Sequence, residues 1–277
     1  MEAALYIVAT PIGNLGDISE RAIEILKQVN LIAAEDTRHS KTLLERFGIK
    51  TKVTAYHEHN EEKVTQQLIE QIQKGESIAL ISDAGTPLIN DPGYKLVVAA
   101  HDNKIQVVPI PGPSAIITAL SASGLPTNKF IYEGYLPAKN KARKTRLKEL
   151  KNESRTIVFY EAPHRIIESL KIMQEILGEK RRVTIARELT KQFEQIVRDQ
   201  LSGINKKLAN EKIKQKGEFV VVVEGAKEMT VSDEEVLRIN QILAEKMSPK
   251  EAAGITAKIT DRKKNEVYKL ALNADKE

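Results

Sequence analysis

Short apolar runs recur through the first half of the chain, each followed by polar or turn-forming residues. They cover Leu5 to Ala9, Leu31 to Ala34, Lys52 to Tyr56, Ile78 to Ile81 and Ile105 to Ile110. Each predicts a strand; Leu5 to Ala9 reads as a buried one, and the Ile78 to Ile81 run as one buried on both faces. Between them the apolar spacing changes to that of a helix. Ala22, Ile23, Ile25, Leu26 and Val29 follow an N-cap at Ser19, and Leu43, Leu44 and Phe47 run to a closing Gly48. Val64, Leu68, Ile69 and Ile72 mark a helix over residues 61–74, and Leu96, Val97, Ala99 and Ala100 mark another. Strands alternating with helices in this way predict a parallel α/β sheet with right-handed crossovers.

The second half alternates less regularly. Strands are expected at Phe130 to Tyr135, Thr156 to Tyr160, Val183 to Ala186, Glu194 to Arg198 and Glu218 to Glu224. Helices are expected over 114–123, 139–151, 166–177 and 204–214. This pattern predicts a mixed sheet. The 114–123 helix is almost wholly apolar and is expected to be buried; Gly124-Leu125-Pro126-Thr127-Asn128 breaks the chain behind it. From Ser232 three helical segments follow. The middle one opens with Ser248-Pro249-Lys250-Glu251, a capping-box pattern with proline at the first helical position. The last, Thr260 to Leu272, is basic. We expect a first α/β domain over 1–115, a second over 116–228, and a small helix-turn-helix-like tail over 229–277.

Composition narrows the class of protein. The chain has 277 residues, 41% hydrophobic and 29% charged, enough for two cores. It contains no cysteine, which excludes disulfides, thiolate nucleophiles and Cys-based metal sites and fits a reducing cytoplasm. No apolar run approaches the ~20 residues needed to span a bilayer. The N-terminus lacks the basic start of a signal peptide. A soluble, cytoplasmic protein with no membrane partner is expected.

Charge is unevenly spread. Residues 1–115 carry 11 basic and 15 acidic residues, whereas the rest carries 32 and 23. A basic second half suggests a polyanionic partner. Lys139, Lys141, Arg143, Lys144 and Arg146 crowd one short segment, with Lys148 and Lys151 behind them and only Glu149 opposing. Such a run neutralises phosphates. It forms the candidate RNA-binding face, with Arg38, Arg165 and Arg187 added from strand ends.

Residue types suited to chemistry collect where the strands stop. The ends carry Thr10-Pro11-Ile12-Gly13-Asn14, Glu35-Asp36, His57-Glu58-His59, Asp83-Ala84-Gly85-Thr86-Pro87 and Pro111-Gly112-Pro113-Ser114. In a parallel sheet these ends share one side, where open α/β sheets bind ligands. No G-x-G-x-x-G follows the first strand and no G-x-x-x-x-G-K-[ST] is present, so neither an NAD-type site nor a P-loop is expected. The His57-Glu58-His59 run is read as surface or substrate contact, and no metal is assigned.

These loops together resemble those of the bacterial ribosomal RNA small subunit (cytidine-2′-O)-methyltransferases, of the tetrapyrrole-methylase fold superfamily. The resemblance rests on Thr10 to Asp17, Ala34-Glu35-Asp36-Thr37-Arg38, His57-Glu58-His59-Asn60, Ser82 to Pro87 and Pro111 to Ser114. It continues through Phe159 to Arg165, Ala186 to Lys191 and Gly217-Glu218-Phe219-Val220. It covers about residues 4–225; the tail is less specific. It implies two α/β domains of the tetrapyrrole-methylase type, N-terminal parallel and C-terminal mixed, plus a small C-terminal helical segment. It also implies S-adenosylmethionine (SAM) as methyl donor, and a decoding-centre cytidine of 16S rRNA in the 30S ribosomal subunit as acceptor. A homodimer is implied too. On this reading Pro11, Gly13, Asp83, Ala84, Gly85, Thr86, Pro111, Gly112, Pro113 and Ser114 hold the cofactor from the first domain. Tyr160, Glu161, Ala162, Glu218, Phe219 and Val220 close over it from the second.

The acceptor hydroxyl needs a base or strong polarisation, worth roughly 10²–10⁴-fold. Glu35, Asp36, His57 and Glu161 are candidates without rank. Asp36 has a helix cap open to it, and Glu161 a pairing with Arg165. Two rival functions stay in view: a precorrin-type methylase of the same fold, and a non-catalytic RNA-binding assembly factor.

Overall fold

The apolar runs of the first half become strands because helices cover both faces of the sheet they form. A computed structural model describes residues 1–227 and 232–274. In chain order the first elements are β1 (Leu5–Val8), α1 (Glu20–Gln28), β2 (Leu31–Ala34), α2 (Thr37–Arg46), β3 (Lys52–Ala55), α3 (Glu61–Gln73), β4 (Ile78–Ile81), α4 (Tyr94–Asp102), β5 (Val107–Ile110) and α5 (Ala115–Ser123). The strands pair in parallel in the order β3-β2-β4-β1-β5. Every residue of β1 and β4 is buried, because each has a strand on both sides and a helical layer on both faces. Ser19 caps α1 through the Ala22 N–H.

The second half supplies β6 (Phe130–Tyr135), α6 (Asn140–Glu149), β7 (Thr156–Glu161), α7 (Ile166–Leu177), β8 (Arg182–Arg187), β9 (Gln195–Gln200), α8 (Leu201–Ala209) and β10 (Phe219–Val223). Its sheet runs β6-β7-β10-β8-β9; only β6 and β7 are parallel. The mixed sheet expected from the irregular alternation is present. β10 sits at its centre, all five residues buried.

Several boundaries moved for local reasons. Ile105 donates its N–H to Ala100 O, so it closes α4, and β5 starts later at Val107. α8 begins directly after β9 and is stopped at Asn210-Glu211, where Glu211 has φ +55. The segment expected as helix over 204–214 therefore splits into helix and turn.

α5 follows a strand of the first sheet yet packs on β8 and β10 of the second. Ile116, Ala119 and Leu120 join Val158, Ala186, Val220 and Val222 in one buried cluster, with Ile12 from the loop after β1. Thr184 Oγ1 donates to Ser123 O at 2.8 Å, fixing the end of α5 to β8. The wholly apolar character of this helix reflects that shared core. Met1–Ala226 form one compact unit and Lys227–Glu277 a second. The expected boundary between residues 228 and 229 lies outside the described residues.

The second unit contains α9 (Asp233–Ala244), α10 (Pro249–Thr260) and α11 (Lys264–Ala274). The capping box at Ser248 and Glu251 is formed. Val236, Ala253, Ala257 and Val267 make a small core. Asp261, left-handed at φ +51, ends α10, so the last helix starts at Lys264 and Arg262 and Lys263 fall in the turn. Among the described residues no helix is long and apolar enough to cross a membrane.

Leu120 is 4% exposed and belongs to the cluster that joins the two sheets. Leu120→Ala is expected to destabilise the protein by about 2–5 kcal/mol. Urea unfolding followed by far-UV circular dichroism checks this through a lower midpoint.

Candidate active site

The loops after β1 and β4 are laced together by backbone. Thr10 N–H donates to Gly85 O at 2.9 Å and Gly85 N–H returns to Thr10 O at 3.0 Å. Thr10 Oγ1 donates to Ser82 O at 3.1 Å, and Thr86 Oγ1 reaches Pro113 O at 3.1 Å. Three strand-end loops are thus tied into one surface. Gly85 has φ +84, and a Cβ there would lie 3.3 Å from Ile12 Cγ2. Glycine is the residue that this turn accepts.

Above that surface lies a cavity of about 380 Å³, within the usual range for small-molecule sites. From the first half it is lined by Ile12, Glu35, Asp83 to Thr86, Ile89, Asp91, Ser114 and Ala115. From the second half come Tyr135, Tyr160 to Pro163, Ala186, Leu189 and Glu218 to Val220. A neighbouring cavity of about 280 Å³ is lined by Pro11, Gly13, Leu15, His39, Ser40, Thr42, Leu43, Ser82 and Asp83. Asp83 belongs to both. The register opposing Tyr135 to Tyr160 follows from a bulge in β6 between Tyr132 and Gly134; the two rings pack at 5.7 Å.

The lining of the larger cavity is acidic. Glu35, Asp83, Asp91, Glu161 and Glu218 contribute carboxyls, and no described lysine or arginine lines it. Burial pushes the Glu35 carboxyl up, and the charges of Asp91 and Asp83 add to this. Burial also raises Asp91, partly offset by a hydrogen bond from Ser82. The Tyr160 phenol is pushed up to about 12, chiefly by burial and then by Asp91, so it stays protonated. Such a cavity suits a cationic ligand with an apolar body, and it is a poor host for a polyanion.

Residues 4–205 match the family of tetrapyrrole (corrin/porphyrin) methylases, and residues 230–276 match the RsmI C-terminal HTH domain. The ribosomal RNA small subunit methyltransferase I of Vibrio cholerae is 52% identical over 97% of this chain and 94% of that protein. The Escherichia coli O157:H7 protein of the same name is 48% identical over 98% and 95%. The chain belongs to the ribosomal RNA small subunit methyltransferase I family. The fold is shared more widely. A cobalt precorrin-4 methyltransferase superposes with TM-score 0.59 at 15% identity, covering 80% of this chain and 95% of its own. A Thermus thermophilus uroporphyrin-III C-methyltransferase, solved with S-adenosyl homocysteine, gives 0.54 at 14%, covering 80% and 97%.

Within this rRNA methyltransferase family member, the sequence candidates part company. Glu35, Asp83 to Thr86, Ser114, Tyr160 to Ala162 and Glu218 to Val220 all line the larger cavity. Pro11 and Gly13 line the smaller one. Pro111, Gly112 and Pro113 line neither; Pro113 instead anchors Thr86 through its carbonyl. Of the base candidates, Asp36 is spent on capping α2. Its carboxylate accepts from the Arg38 N–H at 2.7 Å and from His39, which holds it below its ordinary value. Its own N–H donates to Asp83 Oδ1 at 3.1 Å. His57 lies two residues beyond the edge strand β3 and lines neither cavity. Glu161 is 2% exposed, accepts from Ser169 and pairs with Arg165 at 3.3 Å.

The RNA candidates divide as sharply. Arg143 is 1% exposed, its guanidinium donating to Pro137 O and Ala138 O and pairing with Glu168. Arg187 is buried on Lys216 O and Phe193 O, and Arg165 donates to Leu136 O. These three tie loops to the second sheet and present no free fork to a phosphate. Arg146 is held by Glu133 and Glu149, and Lys144 by Glu175 at 2.8 Å. Lys139 and Lys141 are exposed without a recorded ion pair, as is Lys148, and Arg38 is exposed on the first turn of α2.

Sequence reasoning missed Asp91, Tyr135 and Leu189. Asp91 sits in Asp91-Pro92-Gly93, a breaker group that reads as a turn. It also missed Lys191, whose ammonium pairs with Glu188 and Glu218 while its stem crosses Gly13. A Cβ at Gly13 would lie 2.5 Å from Lys191 Cγ, so glycine there leaves room for that crossing.

A carboxyl raised on folding opposes the folded state once ionised, so its stability contribution is lost as pH rises through its folded value. Glu35→Gln is therefore expected to melt higher than the parent at pH 7. The advantage vanishes below about pH 4, where the unfolded carboxyl is also protonated. Thermal melts across that range check it.

Proposed function

We propose that this protein transfers a methyl group from SAM to the ribose 2′-hydroxyl of a decoding-centre cytidine in 16S rRNA. The observation that carries the reading is the acidic, lysine- and arginine-free cavity at the strand ends, in a chain of the small-subunit rRNA methyltransferase I family. The donor set fits SAM: carboxylates for a sulfonium and ammonium, apolar Ile12, Ala186, Leu189 and Val220 for its body, and backbone at Asp83, Ala84 and Thr86 for hydrogen bonds. The cofactor, when bound, supplies a methyl group on positively charged sulfur.

The chain's own part is placement and one proton. Tyr135, Tyr160 and Phe219 line the cavity from the second sheet. Holding acceptor and donor in line supplies several kcal/mol of the barrier. Among the four base candidates Glu35 faces this cavity without a structural ion pair, so it is the residue that takes the hydroxyl proton. Its raised carboxyl brings it closer to neutral pH, where a base works best. The precorrin reading shares the fold, but an acidic macrocycle would meet carboxylates here. A ribosomal substrate would put the enzyme in the cytoplasm. The homodimer belongs to the same reading, and sedimentation of the purified chain tests it.

Tritiated SAM offered with 30S subunits, naked 16S rRNA and a precorrin is the direct test. Label in 2′-O-methylcytidine from the ribosomal RNA is expected, and label only in the precorrin would overturn the reading. Asp83→Asn is expected to weaken SAM binding about tenfold or more in equilibrium dialysis. Glu35→Gln is expected to lower kcat by about 10²-fold or more with SAM affinity kept. Charge reversal at Lys139, Lys141 and Lys148 should weaken RNA binding and flatten its salt dependence in filter-binding titrations.

A further inference from the structure

The smaller cavity contains a buried polar group with no partner. Ser40 lines it, on the second turn of α2, and is 3% exposed. Its Oγ is buried with no hydrogen-bond partner. Other helix hydroxyls in this protein bond back to a carbonyl four residues earlier: Thr118 to Ser114 O at 2.8 Å, Thr145 to Lys141 O at 3.1 Å and Thr260 to Thr256 O at 2.7 Å. A buried hydroxyl left unpaired costs free energy until something pairs with it. Pro11, Leu15 and Leu43 give the cavity apolar walls, and the Asp83 carboxylate marks its junction with the larger one. No described lysine or arginine lines it, which disfavours a phosphate.

We propose that this cavity receives the base of the acceptor nucleotide, turned out of its stack, with Ser40 Oγ and Asp83 reading its edge. The inference rests on the methyl-transfer reading above and adds the subsite that selects the base. An apolar slot with hydrogen-bonding groups at one edge is how a flipped base is held. Cytosine offers an exocyclic amine as donor beside a ring nitrogen acceptor. A carboxylate accepts from that amine, and a hydroxyl serves either partner. Uracil would turn a carbonyl toward the carboxylate and be repelled. Because Asp83 borders both cavities, a base seated here lies next to the cofactor's chamber.

The test uses the full chain, tritiated SAM, and 30S subunits from cells lacking the modification. Ser40→Ala is expected to lower kcat/KM for subunits by about three- to tenfold. SAM affinity by equilibrium dialysis stays at the parent's value, and the melting temperature does not fall, because the hydroxyl removed is unpaired in the free protein. Thr42→Phe, from the exposed rim of the same cavity, is expected to lower transfer more than about tenfold with SAM affinity unchanged. If Thr42→Phe also lowers the melting temperature, Ser40→Ala alone decides. Full transfer by Ser40→Ala would overturn the base pocket and leave the methyl-transfer reading standing. A loss of SAM affinity in Ser40→Ala matching its loss of transfer would assign the cavity to the cofactor and overturn the proposal. No transfer by the parent protein would overturn both readings.

Discussion

The pair of backbone hydrogen bonds between Thr10 and Gly85 is the constraint on which the site depends. It joins the loops leaving β1 and β4, adjacent strands whose residues are all buried. Rigid strands fix where the loops start, and the two bonds fix where they go next. Asp83 is then held on the far side of the turn, where its carboxylate accepts the Asp36 N–H and its charge acts on Glu35 and Asp91. Gly85 permits the turn through its φ of +84, and Ile12 packs closely against it. The acidic character of the cavity is therefore a product of backbone geometry. Carboxyls far apart in sequence are brought to one wall, and burial raises Glu35 and Asp91 instead of letting water screen them.

The second sheet is positioned by a different device. α5 belongs to the first sheet by connection and to the second by packing, and its buried cluster includes Ile12 from the very loop that supports Gly85. Movement of α5 would disturb both the joint between the sheets and the cavity floor. Lys191 adds a polar tie, its stem crossing Gly13 and its ammonium shared between Glu188 and Glu218. Glu218 also lines the cavity, so this tie reaches the site.

Charge along the chain proved a poor guide to charge at the surface. The segment from Lys139 to Lys151 looks like one basic face, but its arginines and lysines have different fates. Arg143 and Arg146 offer a planar fork that carbonyls and carboxylates can engage from two sides, and both are engaged. Lysine has a single compact charge on a flexible stem, and Lys139 and Lys141 stay in water. Arg165 and Arg187 follow the same rule, whereas Arg38 stays exposed. What is left for a polyanion is a smaller set of cations than the composition suggests.

The sequence by itself determined the order of strands and helices, the parallel first sheet and the mixed second one. These follow from local patterns: apolar run length, helical spacing, and the Gly, Pro, Ser and Asp residues that stop each element. It also exposed both sides of the choice at Asp36 and Glu161, since a cap and an i, i+4 ion pair are local events. Only the tertiary structure decided that Asp36 caps and Glu161 pairs, and that His57 stands at the sheet edge. Strand order alone makes β3 an edge and β4 a neighbour of β1, and strand order depends on crossovers that no local pattern encodes. Asp91, Tyr135 and the unpaired hydroxyl of Ser40 were invisible for the same reason. Each is unremarkable among its sequence neighbours and acquires its role from groups tens of residues away.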